Sequence, residues 1–210
     1  MNPALAMDLE RSIWGVSVLR PVVLLAGLAV LAGLATPQRA EADPAVWWIT
    51  AVAAASVGAG VIYDPPQADK DRQYLRAGVG AFDLIDDEDQ AVEGRLDYMP
   101  AWQFYRFRPL IGAAATGDGS AILHASIAHD LVLPYEHFYV WFEIGPALYI
   151  EGDGKDLGSN GVLRSGFEVG FRTEGGWRIG GSFHHMSHGG LLGDDNPGTE
   201  MVALNVWVPF

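Results

Sequence analysis

The feature that most constrains this chain is a change of period. From about residue 74 onward, apolar side chains recur at every second position in eight separate segments. They run 75–83, 92–98, 106–114, 120–131, 137–145, 163–172, 177–187 and 200–210. A period of two is the signature of a β-strand, because successive side chains leave a strand on opposite faces. In the first segment Leu75, Ala77, Val79 and Ala81 share one face, and Arg76, Gly78 and Gly80 take the other. Glu93, Arg95 and Asp97 share a face in the second; Arg106 and Arg108 share one in the third, against Phe107, Ile111 and Ala113. His124, Ser126 and Asp130 oppose Leu123, Ile127 and Leu131, and Arg164, Glu168 and Arg172 oppose Leu163, Phe167, Val169 and Phe171. Glycine, at 26 residues, supplies the turns between them.

Eight such segments can close in two ways. A soluble sandwich packs its apolar faces together and shows its polar faces to water. A small membrane barrel does the reverse, with an apolar exterior and a polar, packed interior. Segment lengths bracket the ~9–11 residues of a tilted membrane-spanning strand. The connections also alternate: 84–91, 115–119, 146–162 and 188–199 lie at one end, and 99–105, 132–136 and 173–176 at the other. Long outer loops over short inner turns fit a membrane barrel, and so does a last strand ending in Phe210. The expected fold is all-β: an eight-stranded antiparallel transmembrane β-barrel over 74–210, set in a bacterial outer membrane.

The N-terminus fits that destination. Arg11 and Arg20 precede the apolar run 21–35, which is short for a bilayer span and suits an export signal. "AEA" at 40–42 offers small residues for cleavage, so 1–42 is expected to be a cleaved signal peptide. Residues 43–73 hold a second apolar run, 46–62, and read as a periplasmic segment, an extra strand or a plug, with 64–71 as linker. The net charge of −13 argues against a nucleic-acid partner, since phosphate binding needs a basic face. The absence of cysteine excludes disulfides and thiolate metal sites.

The chemistry gathers in "FHHMSHGG", residues 183–190. Odd positions of the seventh segment are apolar, so His185 and Ser187 project from the lipid face at its outer end, while His184 and His188 turn inward. In the eighth segment Val202, Leu204, Val206, Val208 and Phe210 form the lipid face, and extending it outward reaches Glu200. Polar groups facing lipid are costly, so three at neighbouring positions suggest a use. Ser–His–Glu is a hydrolase set that needs no cofactor: the imidazole takes the hydroxyl proton and the carboxylate holds the imidazole. A metal reading competes, with His184, His185, His188, Asp194 and Asp195 as ligand types. Strand alternation separates His184 from His185 and weakens it. Solvated headgroup-zone side chains on a non-enzymatic structural or adhesive barrel are a third reading. The acidic residues Asp83, Asp86, Asp87, Glu88 and Asp89 read as a solvated rim.

The stretch "HHMSHGGLLGDDNPGTE" (184–200) resembles the active-site segment of the outer-membrane lipid A 3-O-deacylases, the PagL-type acyl hydrolases. "EGDGKDLGSNGVLRSGFEVGFR" (151–172) resembles the same family. The resemblance implies an eight-stranded barrel and lipid A, within lipopolysaccharide, as substrate. It implies His185 as general base, Ser187 as nucleophile, Glu200 as orienting acid and Asn196 as a loop support. His188 stands where the family carries an asparagine credited with oxyanion stabilisation; the His188 imidazole and the Gly189 amide are the expected donors. Trp177 and Phe183 are candidates to line an acyl groove, but read more readily as ordinary lipid-facing residues. A phospholipase or other esterase activity is a neighbouring alternative, and a homodimer is compatible with the chain.

Overall fold

A computed structural model describes residues 44–63, 69–85, 89–104, 106–133, 137–192 and 196–210. The expected signal peptide, 1–42, lies outside the described residues. Among the described residues one α-helix, α1 (Pro44–Tyr63), precedes eight strands. These are β1 (Tyr74–Phe82), β2 (Ala91–Met99), β3 (Phe107–Thr116), β4 (Ala121–Val132), β5 (Phe138–Ile150), β6 (Gly161–Arg172), β7 (Arg178–Ser187) and β8 (Thr199–Pro209).

Each strand pairs antiparallel with the next, and β8 pairs with β1, from Tyr74 opposite Pro209 to Phe82 opposite Met201. The barrel is closed, which removes the open edges that invite aggregation. The two faces are inverted relative to a water-soluble protein. Val79, Leu96, Ile111, Ile127 and Leu204 are exposed on the outside, while Arg76, Asp97, Glu143, Arg164 and Glu168 are buried within. An apolar belt around a charged interior is stable only where the belt meets lipid.

The interior is packed rather than open. Arg76 reaches Asp97 at 2.7 Å, Glu143 at 3.1 Å and Glu168 at 3.4 Å, and its guanidinium lies 4.8 Å from the Trp207 ring. Arg164 bonds the other oxygen of Glu143, and Tyr139 donates to Glu168. Buried charges survive because each meets an opposite charge. The inner mouth is closed by Asp69, which enters from the N-terminal segment. Its carboxylate accepts from Arg172 and Arg178, each at 2.7 Å. Burial alone would raise the Asp69 carboxyl; the two arginines overcome it and hold it at about 2.

Three expectations change. The described residues of 43–73 form neither an extra strand nor, for the most part, a plug; residues 64–68 of the expected linker lie outside the described residues. Residues 44–63 form a helix on the outside of the barrel, because this Ala- and Val-rich run carries no period-two pattern. β5 continues to Ile150, so its outer loop is shorter than the sequence suggests. "GP" at 145–146 reads as a strand end, because proline has no N–H to give the ladder. The β4–β5 pairing does lapse there, between His124–Ala147 and Ile127–Ile144, and then resumes. Arg106 does not share the company of Arg108. It precedes β3, lies against Gly60 of α1, and is buried there.

Candidate active site

β7 and β8 run antiparallel in a register that sets His185 directly opposite Glu200. Both side chains leave the outer face, as strand parity requires. Nδ1 of His185 lies 2.8 Å from Oε1 of Glu200, and Nε2 lies 3.1 Å from Oγ of Ser187. A carboxylate only accepts, so the ring proton sits on Nδ1 and Nε2 is left to accept from the serine hydroxyl. His185 and Glu200 are buried, 5% and 2% exposed, while Ser187 is half-buried at the strand's end. The most accessible member of the trio is therefore the hydroxyl, and the pair behind it is shielded from water.

β7 ends at Ser187, so strand alternation no longer governs His188. The chain turns there, with the Leu191 amide donating to the His188 carbonyl. The His188 amide donates to Asn196 Oδ1 at 3.0 Å. Asn196 thus ties the start of the last outer loop to its end. That bond commits the His188 amide, leaving its imidazole, which is buried, and the Gly189 amide as candidate donors. Gly189 has φ +62°, and open space where a side chain would be.

Two groups beside the trio escaped the sequence reading. Gly198 has φ +67°, and a Cβ there would lie 3.0 Å from Cε1 of His185. Only glycine lets the loop pass so close to the imidazole. Its signal was a glycine two residues before Glu200. Asp83, expected on a solvated rim, is instead buried. It takes Lys155 Nζ at 2.7 Å and accepts from Thr199 Oγ1 at 3.2 Å. It joins the end of β1 and the loop after β5 to the residue preceding Glu200. Asp86, Asp87 and Glu88 lie outside the described residues.

Trp177 is exposed, as an ordinary lipid-facing residue would be. It lies at the inner end of β7, ten residues from Ser187. Phe183, two residues inward of His185, is half-buried. The metal reading finds no support in the placement of the ligand types. His184 sits inside the barrel beside Arg95, across the wall from His185. No cluster of three candidate metal ligands occurs among the described residues; Asp194 and Asp195 lie outside them. An apolar depression of about 710 Å³ on the outside of β1–β5, bordered by Leu75, Ile111 and Leu148, shares no residue with the trio.

The family model described as lipid A 3-O-deacylase (PagL) matches residues 37–209. Among solved structures, the outer membrane enzyme PagL is similar at 21% identity, covering 65% of this chain and 99% of that one, with a TM-score of 0.49. Neisserial surface protein A is similar at 10% identity, covering 66% of this chain and 96% of that one, with a TM-score of 0.46. No curated protein sequence matches the chain.

Proposed function

The chain belongs to the lipid A 3-O-deacylase (PagL) family, and from that premise we propose that it removes an ester-linked 3-O-acyl chain from lipid A by acyl transfer to Ser187. The observation that carries this reading is the line Glu200–His185–Ser187, 2.8 and 3.1 Å, on the outward, lipid-facing side of an outer-membrane barrel.

Each residue has a balanced task. His185 Nε2 takes the Ser187 proton as Oγ attacks the ester carbonyl carbon. The tetrahedral oxyanion is held by the His188 imidazole and the Gly189 amide. On collapse the C–O bond to the sugar breaks, and the departing oxygen takes the proton from His185. Water then loses a proton to His185 and attacks the acyl-serine; the proton returns to Oγ and the free fatty acid leaves. Glu200 stays ionised throughout and stabilises the imidazolium.

The test is mass spectrometry of lipid A after incubation with refolded protein, wild type beside Ser187→Ala. Loss of one hydroxyacyl chain with wild type alone is the expected result. Equal deacylation by the variant would remove Ser187 from the mechanism. Phospholipid offered in place of lipid A, and released at the same rate, would redirect the substrate assignment. His188→Ala is expected to slow the reaction by roughly 10²–10³-fold, the usual cost of one oxyanion donor.

A further inference from the structure

The outer wall of the barrel carries polar groups that make sense only with α1 in place. His129 leaves β4 on the lipid side, yet it is buried, and its Nδ1 lies 2.8 Å from Ser56 Oγ of α1. A Cβ at Gly60 would lie 3.1 Å from Arg106 Cδ and 3.2 Å from His129 Nε2, so the helix comes down closely at that point. A histidine in lipid without a partner is costly, and Ser56 supplies one. Farther up the helix, Ile49 and Ala53 pack on Phe142, with Ala54, Ile144, Phe167 and Phe183 around them. Away from the barrel α1 is apolar as well, exposing Trp48 and Ile62, and Tyr63 is exposed at its last turn. Trp48 and Tyr63 are about 22 Å apart along the helix. That separation is close to the ~25 Å between the aromatic girdles of such barrels.

The register gives the direction of the crossing. A ladder row starting at Phe107, at the inner end of β3, passes through His129, Phe142, Phe167, Phe183, Val202, Ala81 and Val92. It returns to β3 at Gly117, where the Gly117 amide donates to the Val92 carbonyl, ten residues farther outward. The row therefore climbs from β4 to β7. Ser56 and Gly60 touch its low end; Ile49, Ala53 and Ala54 touch its higher part. A line dropped from Ser187 toward the inner leaflet moves from β7 toward β6 and β5. There it meets Ser165, opposite His185, and then Ile144, which α1 covers together with Phe167 and Phe183. Phe183 is four residues from Ser187, about 13 Å along the strand.

We infer that α1 is part of the substrate site: it blocks the lipid face inward of Ser187 and limits the length of the acyl chain that the site accepts. This rests on Ser187 as the nucleophile. An ester seated at Ser187 extends its chain inward along the wall, and after about 13 Å the chain meets the upper half of the helix. Longer chains must turn aside or displace it. Small residues at 53 and 54 set how close the helix lies, and Ser56 with His129 fixes its position from the far end.

The first test is whether the helix is present and docked in the protein taken from the membrane. The intact mass should include residues 44–63. The chain has no cysteine, so Ser56→Cys with His129→Cys should be joined by a short bifunctional thiol reagent, while Trp48→Cys with His129→Cys should not. A mature N-terminus beyond Tyr63, or equal joining of both pairs, overturns the inference. The second test uses p-nitrophenyl acyl esters of increasing chain length in detergent micelles. Deletion of 44–63 should raise the ratio of long-chain to short-chain kcat/KM by roughly tenfold or more, the discrimination expected from a methylene or two in an apolar site. Ser56→Ala with Gly60→Leu, which undocks the helix without removing it, should shift the ratio the same way if the deleted chain fails to fold. An unchanged ratio in a folded variant overturns the inference while leaving the Ser187 reading intact. Ester hydrolysis that survives Ser187→Ala instead removes the nucleophile assignment.

Discussion

His185 on β7 and Glu200 on β8 stand directly opposite one another in the ladder, with Nδ1 2.8 Å from Oε1. Strand pairing thereby brings together an imidazole and a carboxylate fifteen residues apart in sequence. Glu200→Gln should preserve that register while weakening control of the ring's tautomer and charge. The expected outcome is a fall in kcat of roughly 10²–10⁴-fold with KM little changed, as for other triad carboxylates. Steady-state kinetics on an ester substrate, with the fold verified by heat-modifiable electrophoretic mobility, would test it.

Gly198→Ala should act on the chemistry more than on the barrel. The new methyl would meet the His185 ring at 3.0 Å, on a backbone with φ +67° that side chains resist. Either the ring or the loop must move. A displacement of a few tenths of an ångström to one ångström is expected to lower kcat by up to about 10²-fold, with about 1–2 kcal/mol lost in stability. Wild-type kinetics in this variant would mean that the loop yields without disturbing the imidazole.

Asp83 links Lys155 to Thr199, next to Glu200. Asp83→Ala removes one partner of a buried ion pair, which typically costs about 3–5 kcal/mol. The urea midpoint should fall, and activity should fall with it because Thr199 loses its anchor. Adding Lys155→Met should recover part of the stability by removing a buried ammonium that has lost the Asp83 carboxylate. A double variant no more stable than the single one would show that the pair is not the source of the loss.

Acid should release the inner mouth. The Asp69 carboxyl is held at about 2 in the folded chain, below the ~3.9 of an unfolded aspartate. A depressed carboxyl contributes stability above its unfolded value and loses it as pH falls through the folded one. The clamp on Arg172 and Arg178 should therefore be complete above about pH 5 and be lost as pH falls through about 2. Wild type and Asp69→Asn should differ in stability at neutral pH and converge only below about pH 2. A constant difference across that range would refute the assignment.

Much of this was written in the chain's period. Alternation placed Arg76, Asp97, Glu143 and Arg164 inside and the aliphatic residues outside, because parity is a local property of a strand. The same parity set His185, Ser187 and Glu200 on one face before any strand was paired. It could not place His188 once β7 ended, nor carry Arg106 inward before β3 began. It misread Gly145 and Pro146 as the end of β5, since a local lapse in hydrogen bonding does not stop a ladder held on both sides.

The sequence by itself determined an outer-membrane barrel and the face on which its candidate chemistry lies. Composition excluded thiolate chemistry, and charge argued against a nucleic-acid partner. Only the tertiary structure decided which strands stand opposite one another, that Asp83 is buried between Lys155 and Thr199, and that Gly198 lies against His185. It also decided that 44–63 is a helix docked through Ser56 on His129. The reason is range: alternation is fixed by each residue and its neighbours, whereas these contacts join residues that become close only when the barrel shuts.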